Sequence, residues 1–265
     1  MTAGRSSNGS SYELTGPGDA HTVVLIHGLG LNRRIWDAYR GRLAQRYRVL
    51  DYDLYGHGES APPPAKPSLS LFSEQLLGLL DELGIEQCAL IGFSLGGMIN
   101  RRLAMDRPER VSALVILNSP HERDPEAQQR AERQALDSAA GGPGATLDAA
   151  IERWFTPEFR DNRVDYVERV REWVLANDAE VYALCRQVLA FGVVELVRPQ
   201  TSISQPTLVM TCEHDSGSTP QMSLAIASEI DGAQVVIVPQ LQHMGLVENA
   251  PFFINAIAEF LESIR

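Results

Sequence analysis

The chain has 265 residues, of which 44% are hydrophobic and 22% are charged, and its formal net charge at pH 7 is -11. That length and apolar content allow one large hydrophobic core and exclude a disordered or fibrous protein. The negative charge opposes contact with phosphate backbones and with anionic lipid. The sequence therefore predicts no nucleic-acid partner and no membrane partner.

Cysteine use and the first residues predict a reduced, cytoplasmic setting. The three cysteines, Cys88, Cys185 and Cys212, are far apart and fit neither a metal-binding pair nor an even disulfide framework. Residues 1–11 are polar and rich in serine and glycine, so we expect a flexible tail there. They lack the apolar core of a signal peptide, and no apolar run is long enough to cross a bilayer.

Apolar runs bounded by turn residues alternate with helical patterns in the first part of the chain. Alternation of strand and helix predicts parallel strands joined by right-handed crossovers. The predicted strands lie at 12–15 (an edge strand), 22–26, 48–50, 88–91 and 111–117, and the predicted helices lie around 36–46 and 72–83.

The most informative motif follows the strand predicted at 88–91. Gly92-Phe93-Ser94-Leu95-Gly96 sets a serine at a sharp corner between strand and helix, where a Cβ at either glycine would collide with a neighbouring element. The hydroxyl of Ser94 would point out of the sheet, and the N–H of Leu95 would be unpaired at the start of the helix. These features predict a nucleophile beside one oxyanion donor, and a tight structural turn is the alternative.

This corner resembles the nucleophile elbow of the α/β-hydrolase family, in its serine hydrolase branch. The resemblance implies an α/β fold with a mostly parallel sheet of about eight strands flanked by helices. It also implies a second oxyanion donor in the loop His27-Gly28-Leu29-Gly30, where the matching N–H belongs to Leu29 and His27 is structural. The loop at 51–60 resembles a family loop at the rim of the site, in which Asp53 and His57 would brace the backbone.

From about residue 121 to 200 the strand pattern stops, and charged helical segments replace it. In the family such a segment is a cap that covers the site and excludes water. The implied organisation is a first core part at 1–120, a helical cap at 121–200 and a second core part at 201–265. A separate helical domain is disfavoured, because so short a stretch makes a poor independent core.

Two further residues would complete a catalytic triad in the chain order of this fold, Ser, Asp, His. Asp215 follows the strand predicted at 206–212, where the family places its acid, although it could simply cap the next helix. His243 follows the last predicted strand. The alternative acids are Glu213 and, more distantly, Glu122 or Asp124.

The resemblance implies chemistry through an acyl-enzyme, with no metal or organic cofactor. His243 would accept the proton of Ser94, and Asp215 would orient the imidazole. The N–H groups of Leu29 and Leu95 would stabilise the oxyanion. Serine at the elbow argues against haloalkane dehalogenases and epoxide hydrolases, which use a carboxylate there.

Within the family, residues 20–265 resemble 3-oxoadipate enol-lactonase-like enzymes, particularly at 153–159 and 182–185. The implied substrate is a small ester or lactone, cleaved by a lactonase or carboxylesterase activity. The cap residues considered for contact with it are Trp154, Arg133, Arg153 and Arg186.

Other functions use the same residues. A carbon–carbon bond hydrolase would act on a diketone or ring-cleavage product with the same triad. A perhydrolase or acyltransferase would pass the acyl group to peroxide or alcohol, and a slow-turnover ligand receptor would keep the fold for binding. The sequence leaves the oligomeric state open and is compatible with a homo-oligomer.

Overall fold

The computed structural model of the protein describes residues 2–137 and 141–264. Eight strands form one sheet in the order β1-β2-β4-β3-β5-β6-β7-β8. The pairs β1–β2 and β2–β4 are antiparallel, and all other neighbouring strands are parallel. The strands are β1 (Thr2–Arg5), β2 (Ser11–Thr15), β3 (Thr22–Ile26), β4 (Arg48–Tyr52), β5 (Cys88–Phe93), β6 (Val111–Leu117), β7 (Thr207–Cys212) and β8 (Gln234–Val238).

Helices cover both faces of this sheet. Successive residues of β3 alternate between two apolar clusters, with Val23 and Leu25 in one and Val24 and Ile26 in the other, because side chains of a strand point to opposite faces in turn. The α-helices are α1 (Asp37–Leu43), α2 (Leu69–Glu82), α3 (Leu95–Asp106), α4 (Pro125–Asp137), α5 (Leu147–Trp154), α6 (Pro157–Asn162), α7 (Val164–Leu175), α8 (Ala179–Phe191), α9 (Pro220–Ser228), α10 (Gly245–Glu248) and α11 (Ala250–Ser263). The predicted α/β-hydrolase fold with its mostly parallel eight-stranded sheet is confirmed.

The prediction of a flexible tail at the start of the chain is wrong. Thr2–Arg5 pairs antiparallel with β2, so β1 is the outer strand and β2 lies inside the sheet. Polar side chains hold the turn between them, where Asn8 Oδ1 accepts from the hydroxyl of Ser6 at 2.6 Å. The segment is ordered by backbone pairing, which serine and glycine permit without any apolar pattern.

The described residues between β6 and β7 form helices joined by loops and contain no strand. We call this part, with α4 to α8, the helical insert. Helix α6 was not predicted, although Thr156 caps it by accepting from the N–H of Phe159 at 3.2 Å and Pro157 occupies its first position. The division of the chain at residues 121 and 201 stays a prediction.

A buried pair of histidines supports the loops beside the sheet. His27 Nε2 accepts from the N–H of Leu54 at 2.9 Å, and its Nδ1 donates to the carbonyl of Gly28 at 2.8 Å. The ring of His57 lies 5.3 Å from that of His27. Burial lowers the pKa of His27 to about 4 and that of His57 to about 3. Both rings therefore brace the fold in the neutral form.

These histidines should make the fold sensitive to acid. Histidines in the unfolded chain bind protons below about pH 6.5, whereas His27 and His57 stay neutral in the folded protein. Their contribution to the free energy of unfolding is therefore full above about pH 6.5 and is lost as the pH falls towards 4. Each can contribute up to about 1.4 kcal/mol per pH unit. Urea unfolding of His57→Gln between pH 6.5 and 4 should give a slope of unfolding free energy against pH shallower by about 1 kcal/mol per unit.

Comparing His57→Gln with the wild type isolates the effect of His57 on the pH dependence of stability. Burial raises the pKa of Asp51 to about 6, which opposes the trend below that pH, but Asp51 is present in every variant. His214→Gln, at an exposed position, is the matched control. Equal slopes for the wild type and His57→Gln would contradict the prediction.

Candidate active site

The serine corner between β5 and α3 is sterically constrained. Ser94 has φ 53° and ψ -111°, a strained conformation for a residue with a side chain. A Cβ at Gly92 would collide with the carbonyl of Gly96, and one at Gly96 would collide with the carbonyl of Ile26. The prediction that a Cβ at either glycine would collide with a neighbouring element is therefore confirmed.

The two predicted oxyanion donors flank this corner. Leu95 is the first residue of α3, and Leu29 lies in the loop after β3. A Cβ at Gly28 would lie 3.2 Å from Cβ of Ser94, so this loop passes directly against the serine. Within residues 2–137 and 141–264, neither the N–H of Leu29 nor that of Leu95 donates to a protein acceptor. Both amides are thus available to a ligand oxygen.

Asp215 and His243 form a hydrogen-bonded pair. His243 Nδ1 lies 2.6 Å from Oδ2 of Asp215. Burial alone would raise the pKa of Asp215, but the His243 ring and hydrogen bonds from Asn118 and the N–H of Ser218 outweigh it and lower that pKa. The carboxylate is therefore ionised and aligned on the imidazole.

Asn118, which the sequence reasoning did not assign to the site, supports Asp215. Its Nδ2 donates to Oδ2 of Asp215 at 2.9 Å and to Oγ1 of Thr211 at 3.3 Å. Asn118 is fully buried at the end of β6 and has φ 46°. Asparagine tolerates this left-handed conformation better than most residues do. An asparagine directly after a buried strand was therefore the one local sign of a special backbone position.

The helical insert holds the loop that carries His243. The N–H of Met244 donates to the carbonyl of Trp154 at 2.8 Å. Both carboxylate oxygens of Glu248 accept from Thr156, one from its N–H at 2.9 Å and the other from its hydroxyl at 2.5 Å. Sequence reasoning also missed Glu248, because its partner lies 92 residues away.

The predicted triad residues share one cavity of about 920 Å³. Ser94, Asp215, His243 and Leu29 all line it. Ser94 is only 7% exposed, and that exposure is towards the cavity. The His243 ring lies 4.9 Å from that of Phe93 and 6.4 Å from that of Trp154, so aromatic groups lie close to the imidazole.

The alternative acids make other contacts. Glu213 is exposed and accepts from the N–H of Gln240 at 2.9 Å. Both oxygens of Glu122 bind Arg198, at 2.6 and 2.7 Å. Asp124 caps α4 by accepting from the N–H of Ala127 at 2.8 Å. Of the acids considered, Asp215 is the one bonded to His243.

The considered cap residues divide into two groups. Trp154, Arg153 and Arg186 line the cavity. Arg133 is exposed and is not among the described lining residues, because α4 turns its face with Ala127, Ala131 and Ala135 to the cavity and position 133 lies off that face. Sequence reasoning missed two further lining arginines, Arg123 and Arg130.

The described residues hold no cluster of histidine, cysteine and acidic side chains suited to a metal ion. The three cysteines are buried as free thiols, and burial raises the pKa of each to about 12. Among the helices that the structure describes, none has the length and apolarity to span a bilayer.

A strained serine at the end of β5, together with an Asp–His pair at the ends of later parallel strands, defines the α/β-hydrolase class of fold. The model of the alpha/beta hydrolase family matches residues 23–256. The chain therefore belongs to this family, and the resemblance found from its motifs is confirmed.

Named relatives match over most of their length. The chain is 32% identical to RutD of Klebsiella variicola, a candidate carbamate hydrolase, over 92% of each chain. It is 29% identical to 3-oxoadipate enol-lactonase 2 of Acinetobacter baylyi, over 93% of this chain and 91% of the relative. Among solved structures, an enol-lactonase from Burkholderia xenovorans has a TM-score of 0.86 at 28% identity, covering 96% of this chain and 98% of its own.

Replacing Asn118 should weaken the Asp–His pair. Asn118→Gly keeps the backbone conformation accessible but removes the donor to Asp215, so we expect kcat for a p-nitrophenyl ester to fall by about tenfold. Asn100→Ala is the control, since Asn100 is also fully buried and donates to the carbonyl of Val115. Equal kcat in the two variants, at temperatures where both are folded, would exclude this role for Asn118.

Proposed function

We propose that the protein is a serine hydrolase that cleaves a small ester or lactone through an acyl-enzyme. One observation carries this proposal: Ser94, on its strained corner, opens onto the same cavity as the hydrogen-bonded pair of Asp215 and His243. The enol-lactonase names of similar proteins support an ester or lactone substrate.

The geometry supports a specific division of roles. With Nδ1 of His243 bonded to Asp215, its Nε2 is the nitrogen left to take the proton of Ser94 as Oγ attacks the carbonyl carbon. The N–H groups of Leu29 and Leu95 would stabilise the oxyanion, each lowering the barrier by about 3 kcal/mol. His243 returns the proton to the leaving alcohol and then activates the water that hydrolyses the acyl-enzyme.

Charge in the cavity favours a substrate that carries a carboxylate. Four arginines line its wall, and the lining acids are already engaged in an ion pair, a helix cap and the Asp–His pair. The arginines are Arg123, Arg130, Arg153 and Arg186. In a chain of net charge -11, this cavity therefore has a local excess of positive charge.

Two of these arginines suit this role best. Arg186 Nη1 donates to the hydroxyl of Thr146 at 2.8 Å, and Arg123 Nη1 donates to Oε1 of Gln128 at 3.1 Å. Neither makes an ion pair within the described residues. Both guanidinium groups are partly buried and are bonded to neutral partners, so a carboxylate could bind either without displacing an acid.

The relative named for carbamate hydrolysis supports a carbamate as the second candidate substrate. A carbamate carbonyl would use the same nucleophile and oxyanion donors. The candidate substrates are distinguished by measuring turnover of four compounds: an enol-lactone, a p-nitrophenyl ester, a carbamate and a vinylogous diketone. Turnover of the diketone alone would favour the carbon–carbon hydrolase alternative, and no turnover of any would favour a receptor.

Loss of the Ser94 hydroxyl should abolish the reaction. Ser94→Ala should lower kcat at least about 1000-fold, because the proton-accepting pair then has no nucleophile. A serine-directed phosphonate should label the wild type at residue 94, as read by peptide mass spectrometry. Ser216→Ala, on the same cavity wall, is the control and should keep activity and labelling. Label on another residue, or turnover by Ser94→Ala near the wild-type rate, would refute the proposal.

Removing a cavity arginine should select against anionic substrates. For Arg186→Gln and Arg123→Gln we expect kcat/KM to fall about tenfold for an ester with a free carboxylate, and to change less than twofold for its neutral methyl ester, since a charge-assisted bond is lost only with the former. Arg133→Gln, on the exposed face of α4, is the matched control. Equal losses for both esters would contradict a carboxylate site.

A further inference from the structure

An arginine is buried behind the serine corner, and no carboxylate of residues 2–137 or 141–264 bonds to it. Arg101 lies on α3, about two turns after Ser94, and is 2% exposed. Removing a guanidinium group from water is costly unless its donors are satisfied. Burial lowers the pKa of Arg101 to about 9, which still leaves it charged at neutral pH. Such a group is expected to have a specific role.

Two of the three guanidinium nitrogens of Arg101 donate to oxygens around the corner, and the third, Nη1, is buried without a hydrogen-bond partner among the described residues. Nε donates to the carbonyl of Gly97 at 2.9 Å. Nη2 donates to Oγ of Ser119 at 3.2 Å and to the carbonyl of Pro120 at 2.7 Å. Arg101 is not among the described residues that line the cavity, so these contacts do not involve a substrate.

The contact with Ser119 continues to the strained residue itself. The hydroxyl of Ser119 donates to the carbonyl of Ser94 at 2.9 Å, and that carbonyl also accepts from the N–H of Gly97 at 3.0 Å. Ser119 cannot easily turn away, since it is 1% exposed and its Cβ lies 2.6 Å from where a Cβ of Gly97 would be. With the Ser119 hydrogen committed to Ser94, its oxygen is free to accept from Arg101.

We propose that Arg101 is a positioning residue, which acts through Ser119 to hold the carbonyl of Ser94 and so keeps the Ser94 hydroxyl directed into the cavity. This inference rests on the proposed role of Ser94 as the nucleophile. The strain at Ser94 has to be held by its surroundings, and this network supplies a bond to the one backbone oxygen of that residue. A nucleophile held slightly off its line of attack reacts more slowly even when substrate binds normally.

The same network reaches the first residues after β6. Through the carbonyl of Pro120, Arg101 also fixes the chain where it leaves the sheet for the helical insert. Pro120 lines the cavity beside Ser94. One guanidinium group thus ties together the helix that follows the nucleophile and the loop that borders the cavity.

The test uses Ser119→Ala, Arg101→Lys and Arg101→Met, each in the 265-residue chain. Ser119→Ala and Arg101→Met should lower kcat and the maximal rate of phosphonate labelling at Ser94 by about tenfold, with KM changed less than twofold, because geometry rather than binding is lost. Arg101→Lys should recover part of both rates. Arg102→Met is the matched control, since Arg102 lies next on α3 and is partly exposed, bonded to Asp106 at 2.7 Å.

A double variant tests whether the two residues act together. Arg101→Met combined with Ser119→Ala should react no more slowly than Arg101→Met alone, because both changes break the same connection to Ser94. If the fold-reduction in rate of the double variant equalled the product of the two single-variant reductions, the proposed route through Ser119 would be overturned. If Arg101→Met fails to fold, Arg101→Lys combined with Ser119→Ala replaces it, and this double variant should react no more slowly than Ser119→Ala alone.

A merely structural role gives a different result. Variants that melt at lower temperature but keep the wild-type kcat and labelling rate, measured where all are folded, would overturn the positioning role. Failure of the proposed function looks different again, since the wild type itself would then not be labelled at Ser94.

Discussion

The structure depends on a steric constraint at the corner between β5 and α3. A strand buried on both faces turns directly into a helix, and the residue at the turn is held at φ 53°. Only glycine fits at positions 92 and 96, because other backbone segments occupy the space of a Cβ. A strained residue of this kind costs on the order of 1–3 kcal/mol and persists because the packed sheet leaves no alternative. The constraint keeps the Ser94 backbone buried and its hydroxyl accessible.

The parallel sheet explains how distant residues meet at this corner. The carboxyl ends of parallel strands lie at one edge, where ligands bind in open α/β sheets. Ser94 follows β5, Asn118 follows β6, Asp215 follows β7 and His243 lies in the loop after β8. The order of these strands, β5-β6-β7-β8, sets the side chains in a row along that edge. The bond from Asn118 to Asp215 joins residues 97 positions apart for this reason.

The helical insert contacts the loop of His243 and lines part of the cavity. Trp154 bonds to Met244, next to His243, and Thr156 bonds to Glu248 in α10, so the position of the His243 loop depends on the insert as well as on the sheet. The inner wall of the insert supplies cavity arginines in a protein that is acidic overall. A change in the insert can therefore alter both the proposed general base and the proposed preference for an anionic substrate.

The sequence by itself determined the strands of the parallel sheet, the serine corner and the chain order of Ser94, Asp215 and His243, because burial and steric crowding leave local patterns. Only the tertiary structure decided which residues support this site. Asn118, Glu248 and Arg101 bond to groups that lie far away in the sequence, so no local pattern marks them. The tertiary structure also decided that residues 2–5 form a strand, because backbone pairing needs no apolar signature. Helical spacing alone could not choose among the arginines, since the packing of each helix determines which of its faces borders the cavity.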